Sequence, residues 1–138
     1  MILHAFTDGA SRGNPGESGI GLILKDEQGN VLLSESGFIG ITTNNVAEYT
    51  ALLTLLQRMK DIACTRLIVH SDSELMVRQL NGTYRVRDQG LKGYYREVMQ
   101  LLASAPFQCE VKHIPRSSNK DADRLANVGI DARKPGRV

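Results

Sequence analysis

Cysteine is scarce in this 138-residue chain, and its 2 thiols, Cys64 and Cys109, have neither CxxC spacing nor a flanking histidine. That argues against a zinc site or a disulfide framework and leaves both as buried core thiols. Long apolar runs are missing too: the uninterrupted hydrophobic stretches are only a few residues, so no membrane partner is expected. The opening residues, Met1-Ile2-Leu3-His4-Ala5-Phe6-Thr7-Asp8, lack a basic n-region and a cleavage site, which points to the cytoplasm. A net charge of +2 is too small to imply a polyanionic partner by itself, so any nucleic-acid binding has to come from local clustering. Repeats, low-complexity tracts and interdomain linkers are absent, and no apolar interface stripe stands out, so a monomer is the default.

What is present suits one domain with its own core: 41% hydrophobic and 23% charged residues. A folded domain over residues 1–130 and a flexible basic tail over 131–138, through Arg133, Lys134, Pro135, Gly136 and Arg137, are expected. Ile2 to Thr7 reads as a strand broken by the turn-rich loop Gly9 to Gly16. Gly19 to Leu24 and Val31 to Ile39 follow as strands joined by a turn at residues 27–30. Glu48, Ala51, Leu52, Leu55 and Met59 then make one helical stripe, with Thr42, Thr43 and Asn44 as capping candidates. Arg66 to Ser71 is a strand, Ser73 to Leu80 and Leu91 to Ala103 are helices, and Phe107 to His113 is a fifth strand. A last helix, Asn119 to Val128, ends at Gly129. The order β-β-β-α-β-α-α-β-α predicts an α/β fold with a five-stranded mixed sheet, three antiparallel strands then two parallel ones, flanked by helices.

Carboxylates fall where apolar segments meet polar ones. Asp8 and Asp72 follow the first and fourth strands, at the carboxyl ends where such sheets bind ligands. Each also has an ordinary reading, Asp8 in an Asp-Gly turn and Asp72 as a helix cap. Glu48 lies on the stripe that should face the sheet, so it needs compensation there, from a helix N-terminus or from a metal. In the last helix Asp121 and Asp123 flank the apolar stripe of Ala122, Leu125, Ala126 and Gly129 about 100° to either side, and periodicity does not choose between them. If these acids share a site, oxygen-only ligands favour Mg²⁺ or Mn²⁺, and two such ions would suit phosphodiester hydrolysis. A phosphatase that uses an Asp-x-Asp nucleophile loop is disfavoured, because the first strand ends in Asp8-Gly9-Ala10.

Phe6-Thr7-Asp8-Gly9-Ala10 with Gly13-Asn14-Pro15-Gly16, Thr42-Thr43-Asn44-Asn45-Val46-Ala47-Glu48, Ser71-Asp72-Ser73 and Ala122-Asp123-Arg124-Leu125-Ala126-Asn127 resemble type 1 ribonuclease H in order and spacing. The match runs from about residue 3 to 128. The resemblance implies a ribonuclease H-like fold and an endonuclease that cuts the RNA strand of an RNA–DNA hybrid with two Mg²⁺ ions, leaving a 5′-phosphate and a 3′-hydroxyl. It selects Asp123 over Asp121. It implies that Asp8 bridges both ions, that Glu48 and Asp72 hold the one on the leaving-group side, and that Asp123 helps hold the one activating water. Mn²⁺ would substitute for Mg²⁺.

The resemblance further implies that Gly9, Ala10, Ser11, Asn14, Asn44, Asn45 and Glu48 line the minor groove, where RNA shows its 2′-hydroxyls. Thr43 falls where the family binds a DNA phosphate. Three departures stand out. Glu74 replaces a glutamine common in the family and would add negative charge near RNA. Asn81 to Leu91 is too short for a basic protrusion, leaving Arg85, Arg87, Lys92 and Arg96 beside Tyr84, Tyr94 and Tyr95. His113 aligns with a family histidine of proton transfer or product release, but Ile114-Pro115-Arg116 follows it in place of a mobile loop. His4 and His70, inside strands, read as structural. The alternative, a catalytically silent module that binds hybrids or RNA, would be marked by loss of an acid, and all four are present.

Overall fold

Leu3 and Ala5 lie fully buried on one side of the first strand, β1 (Ile2–Gly13), as a period of two requires of a strand with a covered face. The computed structural model describes residues 1–132. β2 (Gly16–Lys25) and β3 (Val31–Thr42) continue from β1 as antiparallel hairpins, while β4 (Arg66–Ser71) and β5 (Gln108–His113) run parallel to β1 on its other side. The resulting order, β3-β2-β1-β4-β5, is the expected mixed five-stranded sheet.

Among the described residues four helices flank it: α1 (Asn44–Arg58), α2 (Glu74–Leu80), α3 (Gln89–Ser104) and α4 (Lys120–Ala132). Leu52 and Leu55 of α1, Met76 of α2 and Leu91 and Val98 of α3 join Leu3, Leu22, Leu24, Leu67 and Val69 of the sheet in one core cluster. A side chain at Gly9 would meet the α1 backbone and one at Gly21 the α4 backbone, and Gly9 pairs with Ile20, next to Gly21. Adjacent residues of a strand point to opposite faces, so α1 and α4 cover opposite faces of the sheet. β2 is accordingly buried without interruption from Ser18 through Leu24.

Among the boundaries that differ from the sequence reading, including β2 from Gly16, β3 to Thr42 and α3 over Gln89–Ser104, two bear on how the elements pack. β1 does not stop at Thr7 but pairs with β2 as far as Gly13↔Gly16, so the turn shrinks to Asn14-Pro15, whose peptide bond is cis. α4 does not end at Gly129. A Cβ there would lie 2.4 Å from the Gly37 carbonyl oxygen, so this glycine admits close helix–sheet packing and the helix runs on to Ala132. Asp131 and Ala132 of the expected tail therefore belong to α4, and its remainder, 133–138, lies outside the described residues.

Both cysteines are half-buried, not fully buried, and burial raises the Cys109 thiol to about 11. His4 and His70 face each other across β1 and β4 with ring nitrogens 3.2 Å apart, and Phe6 stacks on His70. Among the described residues no helix is long and apolar enough to cross a membrane.

Candidate functional site

The parallel ladder between β1 and β4 ends at Thr7↔Ser71. Asp8 and Asp72 are the next residues along the chain, Asp8 still within β1 and Asp72 just past β4, so the ladder's end delivers two carboxylates side by side. Asp8 stays within β1, still paired with Gly21 of β2, and is only 4% exposed. Asp72 is freed from helix capping because Ser73 takes that role, its Oγ accepting from the Met76 N–H at 3.2 Å. Glu48 arrives from α1, whose N-terminus is capped by Thr43 Oγ1 accepting from the Val46 N–H. The approach of α1 to β1 depends on Gly9: a Cβ there would sit 2.3 Å from the Ala47 carbonyl carbon. With only hydrogen in its way, the Gly9 N–H donates to Glu48 Oε1 at 2.9 Å.

One ligand oxygen from each of Asp8, Glu48 and Asp72 lies within 4.8 Å of the others. Asp123, from the first turn of α4, is close enough to Asp8 to raise its pKa and stands outside that mutual triad. Asp121 points elsewhere, exposed and 3.8 Å from Arg124. Thus the structure brings Asp123 to the cluster and leaves Asp121 at the surface, a choice periodicity did not make.

Such crowding is visible in the acidities. Burial, then the charges of Asp72 and Asp123, lifts the Asp8 carboxyl from its usual 3.8 to about 8, with Arg116 opposing the shift. Burial, then Asp8 and Asp72, holds Glu48 well above its ordinary value, against the pull of the Gly9 N–H. A cation among these buried acids would favour their ionised forms, and all of these donors are oxygen. The set fits a hard divalent ion such as Mg²⁺ or Mn²⁺.

A pH dependence follows. The unfolded chain releases the Asp8 proton near its usual 3.8, while the folded chain keeps it to about 8. Between those values the folded state binds more protons, so metal-free stability falls as pH rises through that window. A cation favours the ionised form, so the gain in melting temperature on adding Mg²⁺ should be larger at about pH 8 than at about pH 6. Scanning calorimetry with and without Mg²⁺ checks this, and a gain that is the same at both would contradict it.

The remaining site residues of the sequence reading fall into two groups. Ser11, Asn14, Thr43, Asn44 and Asn45 gather where the β1–β2 hairpin tip meets the β3–α1 junction. Ser11 Oγ donates to the Thr42 carbonyl at 3.0 Å, and Asn14 Oδ1 accepts from the Asn44 N–H at 3.0 Å. Gly9 and Ala10 carry the β1 main chain from this edge into the acids. His113 ends β5, exposed and paired in register with Ser71, the neighbour of Asp72. Glu74 is turned away into an ion pair, accepting from Arg78 Nε at 2.9 Å, and the Arg78 guanidinium lies over the Tyr84 ring. Further along, Gln79, Tyr84, Arg85, Lys92, Tyr95 and Arg96 line an open cleft of about 660 Å³.

Arg116 is one residue that sequence reasoning passed over. Placed in the one-turn 3-10 helix Arg116–Ser118 before α4, it was legible only as part of a proline-stiffened loop, and no spacing signal connects it to Asp8, 108 positions earlier.

Comparison with known proteins adds the following. A family model described as reverse transcriptase-like matches residues 6–129. A ribonuclease HI of Halobacterium salinarum is 36% identical over 129 residues, covering 94% of this chain and 64% of the relative. A bifunctional protein of Mycobacterium tuberculosis is 40% identical over 133 residues, 96% of this chain but 36% of its own length. The chain thus spans from about a third to just under two thirds of these curated relatives. Among solved structures, LC11-RNase H1 in complex with an RNA/DNA hybrid superposes with a TM-score of 0.89 at 40% identity, covering 94% of this chain and 97% of that one.

Proposed function

The chain belongs to the type 1 ribonuclease H family, and from that premise we propose that it is a metal-dependent endonuclease hydrolysing the RNA strand of RNA–DNA hybrids. The observation that carries this is the cluster itself: Asp8, Glu48 and Asp72 converge within 4.8 Å, and Asp123 reaches Asp8. A silent binding module would have no need to hold buried acids against their own repulsion, which costs stability unless a cation is bound.

Asp8 is the acid that interacts with each of the other three, which supports the reading that it is shared between two ions. Glu48 and Asp72 would complete one site and Asp123 the other. Two Mg²⁺ ions, or Mn²⁺ in their place, held by these acids would supply charge neutralisation at the scissile phosphate and activation of water for in-line displacement, giving 5′-phosphate and 3′-hydroxyl ends. Among the chain's own groups, the Gly9 N–H orients Glu48, and Arg116 adds positive charge beside Asp8. Ser11, Asn14, Asn44 and Asn45, with the main chain of Gly9 and Ala10, present donors and acceptors suited to the minor groove and its 2′-hydroxyls. Thr43, at the α1 N-terminus, suits a DNA phosphate. His113, paired in register with Ser71 beside Asp72, would serve product release, and Glu74, neutralised by Arg78, would repel RNA less than its bare charge suggests. Residues 1–130 make up the catalytic unit in this reading, acting as a monomer in the cytoplasm.

In place of a basic protrusion, the cleft of Tyr84, Arg85, Lys92, Tyr95 and Arg96 offers cations and ring faces to the DNA strand. Arg85→Ala combined with Lys92→Ala should raise KM for hybrid by about 3- to 10-fold at low salt, the difference narrowing as salt rises, and leave kcat within about twofold. Steady-state kinetics at two salt concentrations measures it; an unchanged KM removes the cleft from substrate binding.

The function as a whole is tested with labelled RNA–DNA, RNA–RNA and DNA–DNA duplexes in Mg²⁺, Mn²⁺ or chelator. Cutting confined to the RNA of the hybrid, dependent on metal and leaving 5′-phosphates, is expected. Tight hybrid binding without cutting would favour the silent module.

A further inference from the structure

Asn119 occupies the position just before α4, and its backbone oxygen accepts the first helical hydrogen bond, from the Asp123 N–H at 3.1 Å. Asparagine in that position ordinarily turns its side-chain oxygen back to cap the helix. The side chains of Thr43, Ser73 and Asp88 do this for α1, α2 and α3. Asn119 does not: its Oδ1 is buried with no hydrogen-bond partner among the described residues. Instead the side chain, in a residue 1% exposed, crosses to the strand ends. Its Nδ2 donates to the Thr7 carbonyl at 2.9 Å and reaches Asp72 Oδ2 at 3.4 Å.

This single amide therefore touches the chain next to Asp8, the carboxylate of Asp72 and, through its main chain, the turn that carries Asp123. We propose that Asn119 is a positioning residue for the acid cluster, holding Asp72 in its orientation at the expense of the α4 cap. The two N–H bonds of an amide diverge at a fixed angle, so anchoring one on Thr7 sets the direction of the other. A neutral donor suits the task better than lysine or arginine. It orients a carboxylate oxygen without cancelling the negative charge on which cation binding depends. Forgoing the cap gives up stabilisation that such a residue normally lends a helix.

The inference rests on the metal-dependent nuclease reading, and its test separates the two. Asn119→Ser retains a hydroxyl able to cap α4 but too short to reach Asp72; Asn119→Asp keeps the size and replaces the donor by an oxygen that repels Asp72. For Asn119→Ser the metal-free melting temperature should stay within about 2 °C of wild type. Its kcat should fall by about 10- to 100-fold, and the Mg²⁺ concentration for half-maximal rate should rise by about tenfold. KM for hybrid should stay within about threefold. Asn119→Asp should lose more kcat than Asn119→Ser, and the gain in melting temperature on adding Mg²⁺ should shrink in both. Wild-type kcat and Mg²⁺ half-saturation in both variants would overturn the proposal. So would a drop in metal-free melting temperature with unchanged Mg²⁺ half-saturation, the signature of a purely structural role. A wild-type protein that neither cuts hybrid nor gains stability with Mg²⁺ overturns the function and, with it, this role.

Discussion

Asp8→Asn and Asp72→Asn are each expected to reduce hybrid cleavage by roughly 10³-fold or more, equivalent to at least about 4 kcal/mol of transition-state stabilisation, with the fold intact. The amide is isosteric with the carboxylate but neutral, so the substitution removes charge from the cluster and little else. At Asp8 that charge faces Asp72 and Asp123 at once, which makes this the position where one substitution disturbs most of the site. Circular dichroism and melting establish the fold, and single-turnover cleavage in saturating Mg²⁺ reads the chemistry. Turnover within about tenfold of wild type in a folded variant would mean that the reaction is carried elsewhere.

Glu48→Gln is expected to move stability and activity in opposite directions. Glu48 is 4% exposed, its acidity depressed by burial and by Asp8 and Asp72, and its Oε1 receives the Gly9 N–H, a bond that a glutamine oxygen can keep. Removing the ionisable group relieves the repulsion, so the metal-free melting temperature should rise by about 3 °C or more. The folded pKa is raised above the unfolded one, so the wild-type penalty grows as pH rises, and the gain from Glu48→Gln should be larger in alkaline than in mildly acidic buffer. Cleavage should fall by about 10²-fold or more through loss of a charged oxygen ligand. An unchanged or lower metal-free melting temperature would show that Glu48 is already compensated within the protein.

Why some of this was legible in the sequence and some not has a physical basis. Three of the acids betrayed themselves locally: Asp8 and Asp72 by following apolar strands, Glu48 by interrupting an apolar helical stripe. Asp123 did not, because Asp121 and Asp123 lie symmetrically about the stripe of α4. What separates them is the position of α4 against β2 and β1, a tertiary fact, and in its absence only the family pattern could decide. The glycines misled in the same way. Gly9 and Gly129 were read as breaks, since lack of a side chain weakens both strand and helix. In the fold they are points of contact, Gly9 with α1 and Gly129 with β3, where a Cβ would collide with backbone. Asn119 gave no warning at all: it reaches the carbonyl of Thr7, 112 residues away, and looks in sequence like any asparagine opening a helix.

The central claim is that acids from β1, α1, the end of β4 and α4 form one cation-binding cluster. Calorimetric titration of Mn²⁺ into the free protein at about pH 8, without nucleic acid, tests it most directly, because binding there depends on the cluster alone. Saturable binding is predicted for the wild type, weakened by about tenfold or more in Asp8→Asn and unchanged in Asp121→Asn, which removes an acid of the same helix that faces solvent. Absence of saturable binding, or equal binding by the wild type and Asp8→Asn, would contradict the account.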